Sequence, residues 1–253
     1  MDPIITAAVT SFVTTVATNS SKAPLQTLDD LWYLAFGKIN HLAELKRAKY
    51  EVATTEYKNL VSQKIIEIEE QNLQEPPMSV VGPALEASRF YIEEHELREM
   101  FANVIAASMD KSKSKMVHHS FVEIIKQLSP DDANNIQFFK ERDNHPIAQF
   151  KMNFLQKNNS YLVLKTNVFI GTYPDIITGN ENAASITNLE RLGLVSISYE
   201  ESYKDKSNYS IFKESSFYHG QAAILNPEIS RIELGQGIIR LSPLGKTFIE
   251  VCL

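Results

Sequence analysis

Apolar residues recur every three or four positions between residues 97 and 128, and this stretch organises the chain. Leu97, Met100, Phe101, Val104, Ile105 and Ser108 share one helical face, so the spacing predicts an amphipathic helix over 92–110. Glu93, Glu94, Glu96 and Glu99 fall in its first turns, where carboxylates meet the positive end of the helix dipole. The run Lys111-Ser112-Lys113-Ser114-Lys115 breaks the rhythm as a solvated turn. A second helix follows, with Phe121, Ile124, Ile125 and Leu128 facing inward. Ser129-Pro130-Asp131-Asp132 opens a third: a capping serine, proline at the first helical position and acids behind it. Short helices joined by tight connections predict an antiparallel helical core.

Upstream, residues 3–18 are uncharged but shorter than a membrane span and interleaved with Thr and Ser. A secretory signal is not expected, since the chain opens with Asp2 and lacks a long apolar run. Three readings stay open for this segment: a terminal helix packed on its own domain, a self-association helix, or a peripheral membrane contact. Residues 19–25 read as a linker. Over 27–68 the rhythm of Leu28, Leu31, Trp32, Ala35, Ile39, Leu42 and Leu45 continues loosely through Val52, Leu60 and Ile65. One long helix or two in line are expected, with Gly37 a weak point costing about 1 kcal/mol relative to Ala. Pro76-Pro77 stops this part and Pro83 opens the next element.

After a polar break at 143–146 the pattern changes. Residues 161–170 alternate and are rich in Val, Leu and Ile, which predicts a strand. Residues 182–192 form a helix with Ile186, Leu189 and Leu192 inward and Gly193 as its C-cap. A strand over 194–199 places Val195, Ile197 and Tyr199 on one side. Residues 200–218 are polar and read as a loop or irregular hairpin. Residues 229–234, a Gly235-Gln236-Gly237 turn and residues 238–241 predict a hairpin, and Ser242-Pro243 caps a last helix through Val251. Helix, glycine, strand, hairpin and helix in this order resemble a winged helix-turn-helix. The fold expected is therefore mostly α: a terminal apolar helix and linker over 1–24, a helical domain over 25–149, and a winged-helix-like α+β domain over 150–253.

Charge narrows the chemistry. The formal net charge is −6, and residues 150–253 carry ten basic and ten acidic side chains, so no broad nucleic-acid surface is expected. Cys252 is the single cysteine, which forbids an internal disulfide and suits a reducing cytoplasm. Winged-helix DNA recognition would use Asn188 and Arg191, but Glu190 and the acids of the wing region oppose phosphate contact. Gly245-Lys246-Thr247 hints at a phosphate loop, yet Arg240 stands where that loop needs glycine and Pro243 sits within it. His118 and His119 lack a second ligand pair for a metal, and His119 with Glu123 more simply forms a local i, i+4 pair. No nucleophile elbow, dinucleotide glycine run or kinase signature occurs, so no catalytic residue, cofactor or metal is assigned. The compact basic turn of Lys111, Lys113 and Lys115 with His118 is the first candidate contact surface, and Asn188 with Arg191 the second.

The phrases LREMFANVIAASMD, VHHSFVEIIKQLSPDDA and IIRLSPLGKTFIEVC, with PPMSVVGPALEASRFYIEEHE before them, resemble the Abi-alpha (abortive infection alpha) family over roughly residues 75–253. These are bacterial proteins associated with defence against phage. The resemblance implies a cytoplasmic antiviral protein that works through contacts with other macromolecules. A protein partner or self-association through the N-terminal helices is expected, with nucleic acid the less favoured partner. The alternative expectation is a winged-helix transcriptional regulator that binds DNA.

Overall fold

The computed structural model describes residues 12, 22–37, 44–156, 160–170 and 180–253. It is mostly helical, with one four-stranded antiparallel sheet. The chain divides into two compact units, residues 1–130 with 250–253 and residues 131–249.

The first unit is built around α4 (His95–Met109). It packs against α2 (Glu44–Ile66), α3 (Met78–Ser88) and α5 (Ser120–Ile125), while α1 (Lys22–Phe36) packs against α3. The Leu97-Met100-Phe101-Val104-Ile105-Ser108 face is buried as expected, but Ala102, Ala106, Ala107 and Met109 are buried too. The alanines let neighbouring helices approach, so α4 is enclosed nearly all round rather than half-exposed. It begins at His95, and Glu96 alone is acidic in its first turn.

Three local expectations change in this unit, and one open alternative is decided. Lys22 and Leu25, expected in a linker, belong to α1, and Leu25 is buried. The long helical stretch is two helices, α1 ending at Phe36 just before Gly37 and α2 starting at Glu44. In α2 the buried stripe is Tyr57, Val61 and Ile65, with Tyr57 packed at a tilt against Trp32 and Phe36, while Val52 is exposed. Pro83 lies inside α3 rather than opening it. Pro77 stands at the N-cap, where a missing N–H costs nothing.

A buried ion pair joins α1 to α2. Lys58 Nζ lies 3.1 Å from Asp29 Oδ1 and 4.5 Å from the centre of the Phe12 ring, and the Phe12 backbone N–H donates to the same carboxylate oxygen at 3.0 Å. Burial lowers the Lys58 pKa, and the Asp29 carboxylate partly restores it. Phe12 packs edge-on against Trp32 at 5.5 Å. The remainder of residues 3–18, and hence the choice between their three readings, lies outside the described residues.

The second unit starts with α6 (Pro130–Gln137), whose first residue is the expected proline. This third helix of the 97–133 stretch therefore leaves the helical core from Asp131 onward. The strands are β1 (Asn144–Phe154), β2 (Tyr161–Val168), β3 (Val195–Ser198) and β4 (Ser230–Leu241), in the order β2-β1-β4-β3. Helix α7 (Asn180–Arg191) precedes β3, α8 (Ser210–Lys213) and α9 (Ser216–Ile224) precede β4, and α10 (Pro243–Cys252) ends the chain.

Three expectations change here. The polar break contributes Asn144, His145 and Pro146 to β1, whose register with β4 runs from Asn144↔Arg240 to Phe154↔Ser230. The 229–241 segment is one strand and no hairpin. Gly235 and Gly237 have extended backbones, and Gly237 is glycine because a Cβ there would come within 2.6 Å of the Ser198 carbonyl oxygen. Residues 200–218 are not a plain polar loop. They bury Tyr209 and Phe212 against Ala148, Phe150, Val168 and Leu234, forming the core of one sheet face. The Tyr209 hydroxyl donates to the Gly237 carbonyl at 2.9 Å, which ties this segment to β4.

Candidate functional site

The basic turn sits on a rigid base. Asp110 ends α4, and its Oδ1 accepts from the Ser112 N–H at 2.8 Å and the Ser112 hydroxyl at 2.6 Å. Its carbonyl accepts from the N–H groups of Lys113 and Ser114 at 3.0 and 2.7 Å. On the other side the Lys111 N–H donates to the Asn72 carbonyl, and Lys111 Nζ donates to the Gln71 carbonyl at 3.0 Å. A carboxylate bonding backbone and hydroxyl two residues on is the Asx-turn device that holds a charged loop in one shape. Lys113 and Lys115 are exposed.

His118 closes the same turn. Its Nδ1 accepts the Ser120 N–H at 3.1 Å and lies 2.7 Å from the Ser120 hydroxyl. It thus caps the start of α5, a job that requires Nδ1 to carry no proton. The expected His119–Glu123 pair is not formed. Glu123 binds Lys126 instead, at 2.9 Å, because that ammonium lies one turn along the same face. Among the described residues no three His, Cys, Asp or Glu side chains converge as metal ligands.

The second candidate lies on α7 of the other unit. Asn188 uses both ends of its amide internally: Nδ2 donates to Asp132 Oδ2 at 2.8 Å, and Oδ1 accepts from Arg191 Nε and Nη2 at 3.0 and 2.7 Å. Asp132 is buried, so this chain of bonds anchors α6 to α7. Alongside it, Asn135 Nδ2 donates to Asn182 and to the Ser185 hydroxyl, and Asn182 Nδ2 donates to the Phe169 carbonyl. Ala183, Ala184, Thr187, Asn188 and Arg191 line a shallow, open depression on this helix. Asn167 borders it in a left-handed conformation, φ 52°, with its amide donating to Thr187 at 3.0 Å. Asn188 therefore links α7 to α6, while Arg191 is exposed and bonds along the surface of its own helix.

The Gly245-Lys246-Thr247 segment is a helix start. The Ser242 hydroxyl accepts from the Gly245 N–H at 2.9 Å and donates to the Gly193 carbonyl, Lys246 pairs with Asp143, and Thr247 donates to the Pro243 carbonyl. Gly193 takes φ 75° as the expected C-cap. Cys252 is buried, and burial pushes its thiol pKa well up.

Sequence reasoning missed the exposed apolar end of the sheet, where Leu155, Tyr161, Leu162, Val163 and Ile229 face solvent. Its signal was the unbroken apolar run 161–164, read only as strand.

Comparison with curated proteins and with solved structures returns no match to either set. The family model described as abortive infection alpha matches residues 49–252, and the chain belongs to that family.

Proposed function

We propose that this chain is a cytoplasmic component of bacterial antiviral defence of the abortive-infection type, and that it works by contact with other macromolecules rather than by a reaction. The family match over 49–252 carries the reading, since the family is named for abortive infection. The phrases that mark the family supply packing and caps: the α4 core, His118 on α5, Ser242 on α10. The contact surface is the basic turn, where Lys113 and Lys115 stand exposed on a base fixed by Asp110. A fixed loop loses little conformational freedom on docking, which favours it as a recognition element. Self-association through the N-terminal helices belongs to this reading, with packing of residues 3–18 on their own domain and membrane contact as the alternatives for that segment. No helix of the described residues is long and apolar enough to cross a membrane.

Expression of the intact gene in a phage-sensitive host tests this. Fewer plaques and altered survival of infected cells are expected, and unchanged plaquing together with unchanged survival overturns the reading. Lys113→Glu with Lys115→Glu should abolish the protection while leaving the unfolding midpoint unchanged, since neither side chain is buried.

A second reading is a winged-helix DNA-binding regulator. It is favoured by the succession of α7, Gly193, β3 antiparallel to β4, and α10. An electrophoretic shift on the gene's own upstream DNA tests it, and absence of binding at low salt removes it.

A further inference from the structure

Opposite charges gather where the chain enters α4 and where it leaves. On the way in, residues 86–96 hold Glu86, Glu93, Glu94 and Glu96 against Arg89. On the way out, residues 111–119 hold Lys111, Lys113, Lys115, His118 and His119 and no carboxylate. Fifteen helical residues separate the two regions, about 22 Å of helix. The helix dipole accounts for Glu96 in the first turn, but not for the groups that lie outside the helix.

The entry side is a shoulder built on Phe90, which is 79 % exposed in the connection between α3 and α4. That connection is fixed. The N–H groups of Phe90 and Tyr91 donate to the Ala87 and Ser88 carbonyls at 3.0 Å each, and the Tyr91 hydroxyl donates to the Lys126 carbonyl at 2.8 Å. Arg98 donates to the Ile92 carbonyl at 3.2 Å while pairing with Glu56 at 3.4 Å, and Ile92 is buried. A phenylalanine held in the open in this way forgoes the large apolar contribution its ring makes when covered. Glu86, four residues earlier, and Glu93, three later, are exposed.

On the exit side Lys113 and Lys115 are exposed, and Met116 and Val117 beside them are half-buried. The carboxylates nearest along the 72–111 contact are Glu69 and Glu70, and Glu69 already accepts from the Gln71 and Asn72 amides at 2.9 and 3.3 Å. Among the described residues Glu86, Glu93, Lys113 and Lys115 have no ion-pair partner.

A second copy of the chain supplies what each region lacks. Turn against turn sets lysine on lysine, and shoulder against shoulder sets glutamate on glutamate. Turn against shoulder matches the charges and brings the Phe90 ring to Met116 and Val117, a thioether and a methyl surface that suit an aromatic face. One copy cannot close this contact on itself across the length of α4. Two different surfaces meet, so repetition gives a ring or an open chain of copies and no closed dimer.

We propose that the basic turn of one copy docks on the Phe90 shoulder of a second, Lys113 and Lys115 against Glu86 and Glu93, so that the chain assembles head to tail. This rests on the turn being the contact surface and gives that surface its partner.

Sedimentation velocity of the full chain over rising concentration, at about 0.05 M and about 0.5 M salt, tests it. Species that grow past a dimer with concentration and shrink in the higher salt are expected. Lys113→Glu with Lys115→Glu, and separately Glu86→Lys with Glu93→Lys, should each leave a monomer. A chain with all four substitutions should assemble again, because its charges are exchanged. Phe90→Ala should raise the concentration required about tenfold. Thermal melts establish that the variants fold, and Glu86→Gln with Glu93→Gln replaces the lysine pair if that variant loses its transition. A wild-type chain that stays monomeric overturns the proposal; if phage protection still needs Lys113 and Lys115 in that case, the turn serves another partner and the defence reading stands. Assembly that survives either charge pair places the contact elsewhere and overturns it. Growth that stops at a dimer, or a four-substitution chain that stays monomeric, overturns it as well.

Discussion

A Cβ built on Gly245 would land on the Leu194 carbonyl oxygen, because the first turn of α10 lies directly against the chain leaving Gly193. Backbone cannot retreat as a flexible side chain can, so Gly245→Ala should cost about 2–3 kcal/mol in urea unfolding. Ser242→Ala, which removes the cap on the same turn, should cost about 1 kcal/mol. His145 makes a different residue-scale prediction. It is half-buried between the Phe139 and Phe169 rings, and burial lowers its pKa despite its hydrogen bond to the Phe138 carbonyl. The neutral ring is thus favoured in the folded state, and the unfolded chain binds the proton more readily. Its contribution to stability is present above the ordinary histidine pKa, about 6.5, and is lost as the pH falls through that value. Urea unfolding at pH 7.5 and 5.5 should show the second unit weakening in acid, and His145→Gln should shrink the difference.

Among the elements, the 200–218 segment departs most from its sequence pattern. Its polar residues suggested a loop, yet two aromatics separated by three positions, Tyr209 and Phe212, complete the core of one sheet face. Phe212→Ala should cost about 3–5 kcal/mol, the range for emptying a buried aromatic site, and Tyr209→Phe about 1 kcal/mol through the lost bond to Gly237. Both are read from denaturant midpoints. The central strand β1 was legible in principle. Ala148, Phe150, Met152 and Phe154 alternate with Gln149, Lys151 and Asn153, but the flanking Asp143-Asn144-His145-Pro146 masked the signal. β4 misled for the opposite reason: Gly-Gln-Gly imitates a turn, whereas close neighbours on both sides require the missing side chains. Of the candidate contacts, the Lys111–Lys115 turn was plain in sequence. That Asn188 binds Asp132 as well as Arg191 was not, since Asp132 lies 56 residues before Asn188.

Across the whole molecule, the last four residues belong with the first unit. Val251 and Cys252 are buried, and the Asn103 amide donates to the Cys252 carbonyl at 2.8 Å across 149 positions of chain. Asn103→Ala should destabilise that unit by about 1 kcal/mol, and deletion of residues 250–253 by about 3 kcal/mol, through lost burial of two apolar side chains. Thermal melts of the full chain and the truncation check this. The amino-acid sequence alone determined what depends on near neighbours: the buried face of α4, proline at the start of α6, Gly193 closing α7, Ser242 opening α10 and the basic turn. Only the tertiary structure decided that β1 and β4 form the long central pair, that α6 leaves the helical core, that Tyr209 and Phe212 are interior, and that Leu155, Tyr161, Leu162 and Val163 are exposed. The physical reason is range. Helical periodicity and capping are settled within a few residues, whereas a strand's partner and an aromatic's burial depend on groups that folding alone brings near.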